Sequence, residues 1–382
     1  MTLKEDNEST SQKPRKLSVP RILHFAPGFR YGGVESLLMA IYEKIEKSEL
    51  QFDFMIDSVD ASPTIDRIRS LGGQVFQMGR FMDSPLRWMD KMNKIIRQNR
   101  SEYIALHSHD ILRSLPVLLA SQKYGIKRRI LHAHTDSFAG SRGAILAPLI
   151  TQITRPFATE YWACSSAAAQ FSFASRPARI FNNVIDTKKF QFSLEARLQR
   201  RKELGLSELD VLIGHTGRFT YLKNHKKLVK IFNEFKKQSA NAHLVLIGEG
   251  PLLEEIRSLT QFLQITNRVH FLGRKELIAP YLSAMDIFLM PSIAEGFCIS
   301  LVEAQANGLP CLASDVVPAE VMLTPDLHLL SLEDGTERWT ENIQKLLASG
   351  RGNSASNIEK IRNAKYCNDF ATSEVLKWYL TD

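Results

Sequence analysis

Three things are scarce in this chain of 382 residues, and each scarcity excludes a class of protein. Cysteine is the first. The four cysteines, Cys164, Cys298, Cys311 and Cys367, include no pair at CxxC spacing, and no histidine cluster accompanies them. A disulfide framework and a zinc ribbon are therefore not expected, and reduced thiols of a cytoplasmic protein are. Long apolar runs are the second. The longest candidate, Gly143 to Ile153, contains Pro148 and Thr151 and falls short of the ~18 apolar residues of a membrane-spanning helix. The third is an apolar start. The first twenty residues are polar and charged, so no secretory signal is expected, and residues 1–17 read as a disordered lead-in. No internal repeat is visible by identity.

What is present is ordinary in proportion. An apolar fraction of 44% with 24% charged residues suits a soluble globular protein. The length exceeds one typical core and predicts two domains. The formal charge of +8 permits nucleic acid, anionic lipid or phosphorylated substrates as partners. The basic residues are dispersed and no recognition motif appears, so nucleic acid is not expected among them.

The chain alternates short apolar runs with helical spacing. Arg21 to Phe25 reads as a strand, Pro27 to Gly33 as a glycine loop, and a helix starts near Val34. Glycines let a backbone approach a ligand closely, and a helix start favours anions. Further strands are predicted at Phe52–Ile56, Val75–Met78, Tyr103–His107, Ile130–His134, Tyr161–Cys164 and Arg179–Phe181. Repeated βα units imply a parallel sheet covered on both faces, with ligands off the carboxyl ends of its strands. His107-Ser108-His109 and His132-Ala133-His134-Thr135 fall at two such ends. They fit either core and cleft histidines or a metal set, and for the latter only Asp110 and Asp136 are near in sequence.

Arg80 to Arg100 carries Leu86, Met89, Met92, Ile95 and Ile96 at helical spacing with Trp88 beside them, and Arg87, Lys91, Lys94 and Arg97 mostly elsewhere. It fits a surface helix packed on the sheet, or a basic amphipathic helix resting on an anionic bilayer. Phe190 to Ser207 reads as a linker helix. A second βαβ series begins at Val211, with strands predicted at Leu244–Ile247, Val269–Leu272, Asp286–Met290 and from Cys311. Arg218 and Lys223 fall around one strand-end loop, where two cations near a helix start could hold a diphosphate. Glu337 to Ala348 and Ser354 to Leu380 read as helices.

The stretch from Asp286 to Asp315 reads as strand, loop, helix, strand. Glu295 lies in the loop and Glu303 in the helix, with seven residues between them. The backbone N–H groups of Phe297, Cys298, Ile299 and Ser300 open that helix, an arrangement that suits an anion. Gly308 stands where a helix-ending glycine belongs and Pro310 blocks continuation. Carboxylates for sugar hydroxyls beside donors for phosphate suit a nucleotide sugar.

The stretch E-G-F-C-I-S-L-V-E-A-Q-A-N-G-L-P closely resembles the E-x7-E signature of the family 4 retaining glycosyltransferases of GT-B fold, in Glu295, Gly296, Phe297, Glu303, Ala304, Gly308 and Pro310. Cys298 departs from it, since a small residue is usual there. The resemblance extends over roughly residues 20–380 and is densest in the second half. It implies an α/β chain of two Rossmann-like domains facing across a cleft: 18–186 for the acceptor, 187–360 for the nucleotide sugar, and 361–382 as a helix crossing back to the first domain, anchored by Trp378-Tyr379-Leu380. Ile180 to Phe190 resembles the segment that leaves the first domain, with Val184 where glycine is usual.

By the same resemblance, Gly32 and Gly33, with Val34 and Glu35, form a cleft loop near the donor phosphates. His134 lines the cleft beside the transferred sugar, and His109 is a candidate for the acceptor side. Arg218 and Lys223 match a G-R-x5-K pattern that holds the diphosphate. Gly248-Glu249-Gly250-Pro251 matches a G-x-G-P turn, and Gly273-Arg274 would lie near the base. Glu303 would accept from the ribose and Glu295 from the sugar. The catalytic set expected is His134, Arg218, Lys223 and Glu295. The donor-binding set is Gly32, Gly33, Phe297, Cys298, Ile299, Ser300 and Glu303. No metal and no cofactor are expected beyond a UDP- or GDP-linked sugar as substrate. The implied activity is a retaining hexosyl transfer to a lipid-linked or oligosaccharide acceptor, in exopolysaccharide or capsule assembly at the inner face of the membrane. The alternatives are a GT-B sugar-nucleotide epimerase, a phosphorylase, a nucleic-acid-binding protein, and a catalytically silent partner. Intact Glu295 and Glu303 speak against the last, and the Arg218/Lys223 pair against the first.

Overall fold

The computed structural model describes residues 19–26, 33–57, 63–134 and 146–381. The expected lead-in, the Pro27–Gly32 loop and Thr135 lie outside them. Two parallel sheets organise the rest. The first has the strand order Val75–Gln77, Gln51–Ile56, Arg21–Phe25, Tyr103–Ser108, Arg128–Ala133, Glu160–Ala163, Arg179–Ile180. The second runs Val269–Phe271, Ala242–Ile247, Val211–Thr216, Ile287–Met290, Cys311–Ser314, Leu327–Leu330. Their central strands are buried on both faces, as in Gln51–Ile56 and Ile287–Met290, which is why they read as continuous apolar runs. This is an α/β chain of two Rossmann-like domains.

Each sheet reverses its strand order once. The first does so between Arg21–Phe25 and Tyr103–Ser108, the second between Val211–Thr216 and Ile287–Met290. Helices leave the two strands at such a point toward opposite faces, which opens a crevice at their carboxyl ends.

Three differences from the sequence reading have local causes. The strand Leu327–Leu330 was not predicted: it is a short edge strand with only Leu327 fully buried, too brief to show a pattern. The helix expected from Ser354 to Leu380 is two, Ser354–Asn363 and Asn368–Leu380. Lys365 takes a left-handed φ of 66° between them, and the Tyr366 N–H donates to the Ile361 carbonyl at 3.0 Å, closing the first helix. The apolar stripe of Arg80–Arg100 is divided. Trp88, Met92, Ile95 and Ile96 enter the first domain's core, whereas Leu86 is 84% and Met82 82% exposed.

The last helix crosses back to the first domain. Ala371, Val375 and Tyr379 are buried in one cluster with Ile22, Leu37, Ile41 and Trp162. Arg128 donates to the Trp378 carbonyl at 2.7 Å, and the Arg179 guanidinium lies 4.2 Å from the Trp378 ring centre. The linker helix, Leu194–Glu203, is tied instead to the second domain. Arg197 and the fully buried Arg201 bond Asp286 at 2.8 and 3.1 Å.

Candidate active site

Lys223 and Glu295 come from loops that leave the two strands at the second sheet's reversal. After Val211–Thr216 the chain passes Gly217 and Arg218 into a 3-10 turn, Tyr221–Lys223, and then Asn224 at φ 51°. Asn224 caps the following helix, His225–Lys236, its side chain accepting from the Lys227 N–H at 3.4 Å. After Ile287–Met290, the Ile293 N–H donates to the Leu222 carbonyl at 2.7 Å and locks the second loop onto the first. The Lys223 ammonium then lies 2.7 and 2.9 Å from the two Glu295 carboxylate oxygens. Burial works to lower the pKa of Lys223, but Cys298 and Glu295 raise it on balance. Burial also pushes the Cys298 thiol up to about 12, so at neutral pH it is uncharged and Glu295 holds the ammonium.

Arg218 projects into solvent one residue beyond Gly217, and no described group pairs with its guanidinium. Its backbone is tightly held. The Gly217 N–H donates to Ile247 at 3.0 Å and the Phe219 N–H to Glu249 at 2.9 Å. Gly248 packs so closely, at φ 146°, that a Cβ there would stand 2.1 Å from the Gly217 carbonyl oxygen. The G-E-G-P turn is thus the support beneath Arg218. Lys227, four residues beyond Lys223, is tied down as well: it donates to the Leu332 and Asp334 carbonyls at 2.9 and 2.7 Å.

The helix after Glu295 spans Ile299–Ala306, with Cys298 at its N-cap. Of the four N–H groups expected to open it, that of Ile299 turns back to the Phe297 carbonyl at 3.0 Å. Those of Cys298 and Ser300 donate to no described backbone carbonyl. The Cys298 side chain is buried against Met290, so the departure from a small residue is absorbed inward. Glu303, half-buried on the next turn, has its carboxyl pKa pushed up to about 8 by withdrawal from water.

Phe297 faces the other domain. Its ring stacks on Tyr366 at 5.4 Å and 10°, and packs against the first-domain core cluster that includes Phe25 and Ala133. This sets the Glu295–Ser300 loop against the first domain. His134 follows Arg128–Ala133 directly and bonds His109 at 2.9 Å. No hydrogen bond among the described residues joins it to Lys223 or Glu295. Gly33 begins the helix Gly33–Tyr42 in open space, and Gly32 lies outside the described residues.

Sequence reasoning passed over His24. It lies on Arg21–Phe25 and joins His107, His109, His132 and His134 in one buried group. The H-S-H and H-A-H spacings put the other four two apart on one strand face, whereas His24 stands alone in RILHF.

Comparison with known proteins follows the same division. Residues 197–364 match the family described as Glycosyl transferases group 1. The chain is 31% identical over 344 residues to EpsF of Bacillus subtilis (strain 168), assigned as a glycosyltransferase, covering 87% of this chain and 89% of that one. Over 140 residues it is 26% identical to the UDP-Gal:alpha-D-GlcNAc-diphosphoundecaprenol alpha-1,3-galactosyltransferase of Escherichia coli, 36% of each chain. Its fold is like that of Anabaena Alr3699/HepE, solved in complex with UDP and glucose. The TM-score is 0.79 at 18% identity, over 95% of this chain and 100% of that one.

Proposed function

The chain belongs to the family Glycosyl transferases group 1 and is a glycosyltransferase of GT-B type; from that premise we propose that it moves a hexosyl group, with retention, from a UDP- or GDP-linked sugar to a lipid-linked saccharide. The observation that carries this reading is the Lys223–Glu295 pair, set at the second sheet's crevice beside an unpaired Arg218 and an open helix start.

In this reading the nucleotide sugar lies on the second domain and the acceptor on the first. As the leaving group departs, charge grows on the diphosphate. Arg218, Lys223 and the N–H groups of Cys298 and Ser300 meet it. Glu303 accepts from the ribose. Glu295, released from Lys223 by the diphosphate, accepts from the sugar hydroxyls, and His134 donates to one of them from the opposite wall. The loop of Gly32 and Gly33 borders the phosphates. Because protein cations do this work, transfer needs no metal and no cofactor, and it persists in EDTA. Closure of the two domains brings acceptor hydroxyl and anomeric carbon together.

Two features support a lipid-linked acceptor. One relative's name specifies a diphosphoundecaprenol acceptor. The second is the overhang of Met82 and Leu86 beside Arg87 and Lys91, which suits attachment to an anionic membrane surface on the cytoplasmic side. A lipid-linked saccharide acceptor of this kind suits cell-surface polysaccharide assembly, of exopolysaccharide or capsule.

The test is a panel of nucleotide sugars screened for thermal stabilisation, then for transfer, with the product's anomeric configuration read by NMR. A UDP- or GDP-sugar shift lost in Arg218→Ala and Glu303→Ala is the expected result. No shift with any sugar nucleotide in folded protein would overturn the reading in favour of a silent partner.

A further inference from the structure

The chain passes between its two domains twice, and the two passages lie side by side. Ile185 is on the way out of the first domain, and Tyr366 to Asn368 are on the way back. The Ile185 N–H donates to the Tyr366 carbonyl at 3.1 Å, and the Asn368 N–H donates to the Ile185 carbonyl at 3.0 Å. One parallel bridge, Ile185 to Cys367, joins the segments. So narrow a connection is where a few dihedral angles can absorb a rotation of one domain against the other. The break between the last two helices, with Lys365 at φ 66°, stands at the same point.

Phe297 reaches this connection from the Glu295–Ser300 loop. Its ring stacks on Tyr366, with 5.4 Å between ring centres and 10° between planes. Tyr366 is buried with Ile185 in a core cluster of the second domain, and Phe297 packs against that cluster too. On its other side Phe297 packs against a core cluster of the first domain. Among the described residues it is the one side chain packed against core clusters of both domains.

The loop that carries Phe297 is held by side chains. No backbone N–H from Ala294 to Cys298 donates to a described carbonyl. Its fixed points are Glu295 on Lys223, Phe297 on Tyr366 and Cys298 on Met290. An arriving diphosphate would exchange the first of these. Cys298 then anchors the loop inside the second domain, and Phe297 anchors it to the connection and to the opposite domain.

We propose that Phe297 is a positioning residue that couples donor binding to domain closure. Its ring carries a shift of the Glu295–Ser300 loop to Tyr366 at the hinge and to the wall of the first domain. This rests on the reading above that the donor diphosphate binds at this loop. A ligand shifts an equilibrium only through contacts that differ between its two states. Of the loop's fixed points, only Phe297 touches both domains, so only its contacts must change when one domain turns against the other. Close-packed interiors transmit such strain.

The test uses the full chain with spin labels at Lys123→Cys and Lys345→Cys, exposed positions on different domains; the four native cysteines are buried. Label distances are measured by pulsed electron resonance, without nucleotide and with saturating UDP or GDP. Nucleotide Kd is measured alongside, with kcat and KM for the nucleotide sugar that supports transfer. In the wild type, bound nucleotide should shift the distance distribution. Phe297→Leu keeps the backbone N–H and an apolar side chain but removes the stack. It should bind nucleotide within about threefold of wild type, lose the shift, and lower kcat by about tenfold or more with a smaller change in KM. Tyr366→Ala, which removes the other ring, should do the same, whereas Tyr366→Phe should keep both the shift and kcat. A wild-type shift and kcat in Phe297→Leu would overturn the proposal. So would a Phe297→Leu that binds nucleotide about tenfold more weakly yet still shifts at saturation, since Phe297 would then serve the donor site alone. The underlying reading fails separately: a folded wild type that binds neither nucleotide would remove the donor from this loop, whereas one that binds without any shift would overturn the coupling alone.

Discussion

Lys223 and Glu295, 72 residues apart in sequence, form a two-pronged ion pair at 2.7 and 2.9 Å across the second sheet's crevice. Their side chains are 22% and 8% exposed. In the function proposed above, the pair keeps a cation in place for a diphosphate while shielding it, and donor binding exchanges its partners.

Replacing one partner exposes that exchange. Glu295→Ala leaves the Lys223 ammonium, 22% exposed, without its partner and should lower the unfolding free energy by about 1–3 kcal/mol. UDP should then stabilise Glu295→Ala more than it stabilises the wild type in thermal shift, because the diphosphate supplies the missing charge. Equal shifts would mean that the nucleotide does not reach Lys223. Lys223→Met should cut kcat/KM by about 10²-fold, the loss of one contact to the leaving group's charge.

Glu303 makes stability depend on pH. Its pKa rises from 4.5 to about 8 on folding, so between those values the folded chain holds a proton that the unfolded chain releases. That contribution is complete below the unfolded pKa and is lost as pH climbs through about 8. Glu303→Gln cannot ionise, so its stability relative to wild type should grow with pH across this window. Urea midpoints at about pH 5 and about pH 8.5 test this; parallel midpoints would rule out a raised Glu303.

Tyr379 is the crossing-back helix's polar anchor, its hydroxyl bonded to His107 Nδ1. Tyr379→Phe keeps the ring's stacking on Trp162, at 5.9 Å and 16°, but leaves His107 Nδ1 buried without a partner. The expected cost is about 1–3 kcal/mol, read as a lower urea midpoint. A variant as stable as wild type would show that the hydroxyl contributes nothing net.

Substitution at the overhanging helix start should separate the proposed membrane contact from folding. Met82→Ser with Leu86→Ser should leave stability within about 0.5 kcal/mol, since both side chains already face water. Co-sedimentation with anionic vesicles should fall, and fall again in R87E/K91E/K94E at about 1 kcal/mol per charge. Vesicle binding unchanged in both variants would remove this helix from the account.

Much was legible in the chain because it is local. Apolar runs long enough to be buried on both faces marked the central strands. Gly308, at φ 73°, ended its helix as the sequence suggested, since no other residue takes that conformation as cheaply. Glu295 with Glu303, and Arg218 with Lys223, were singled out by local spacing and by resemblance to a family signature, each pair lying within one short stretch. The short edge strand Leu327–Leu330 and the break at Lys365 did not, because a few half-buried residues leave no period and a lysine rarely marks a left-handed turn.

What only the tertiary structure decided is pairing between elements distant in sequence. Spacing could suggest cations in one loop and carboxylates in another, but not that Lys223 and Glu295 touch. That follows from strand order, which sets Val211–Thr216 beside Ile287–Met290 and brings their end loops together. The same holds for His24. One histidine in RILHF carries no signal, and its row with His109 and His134 exists because parallel strands put residues from separate βα units side by side. The sequence by itself determined which groups are available and on which local element each sits. The packing of non-neighbouring strands decided which of them share a proton or a charge.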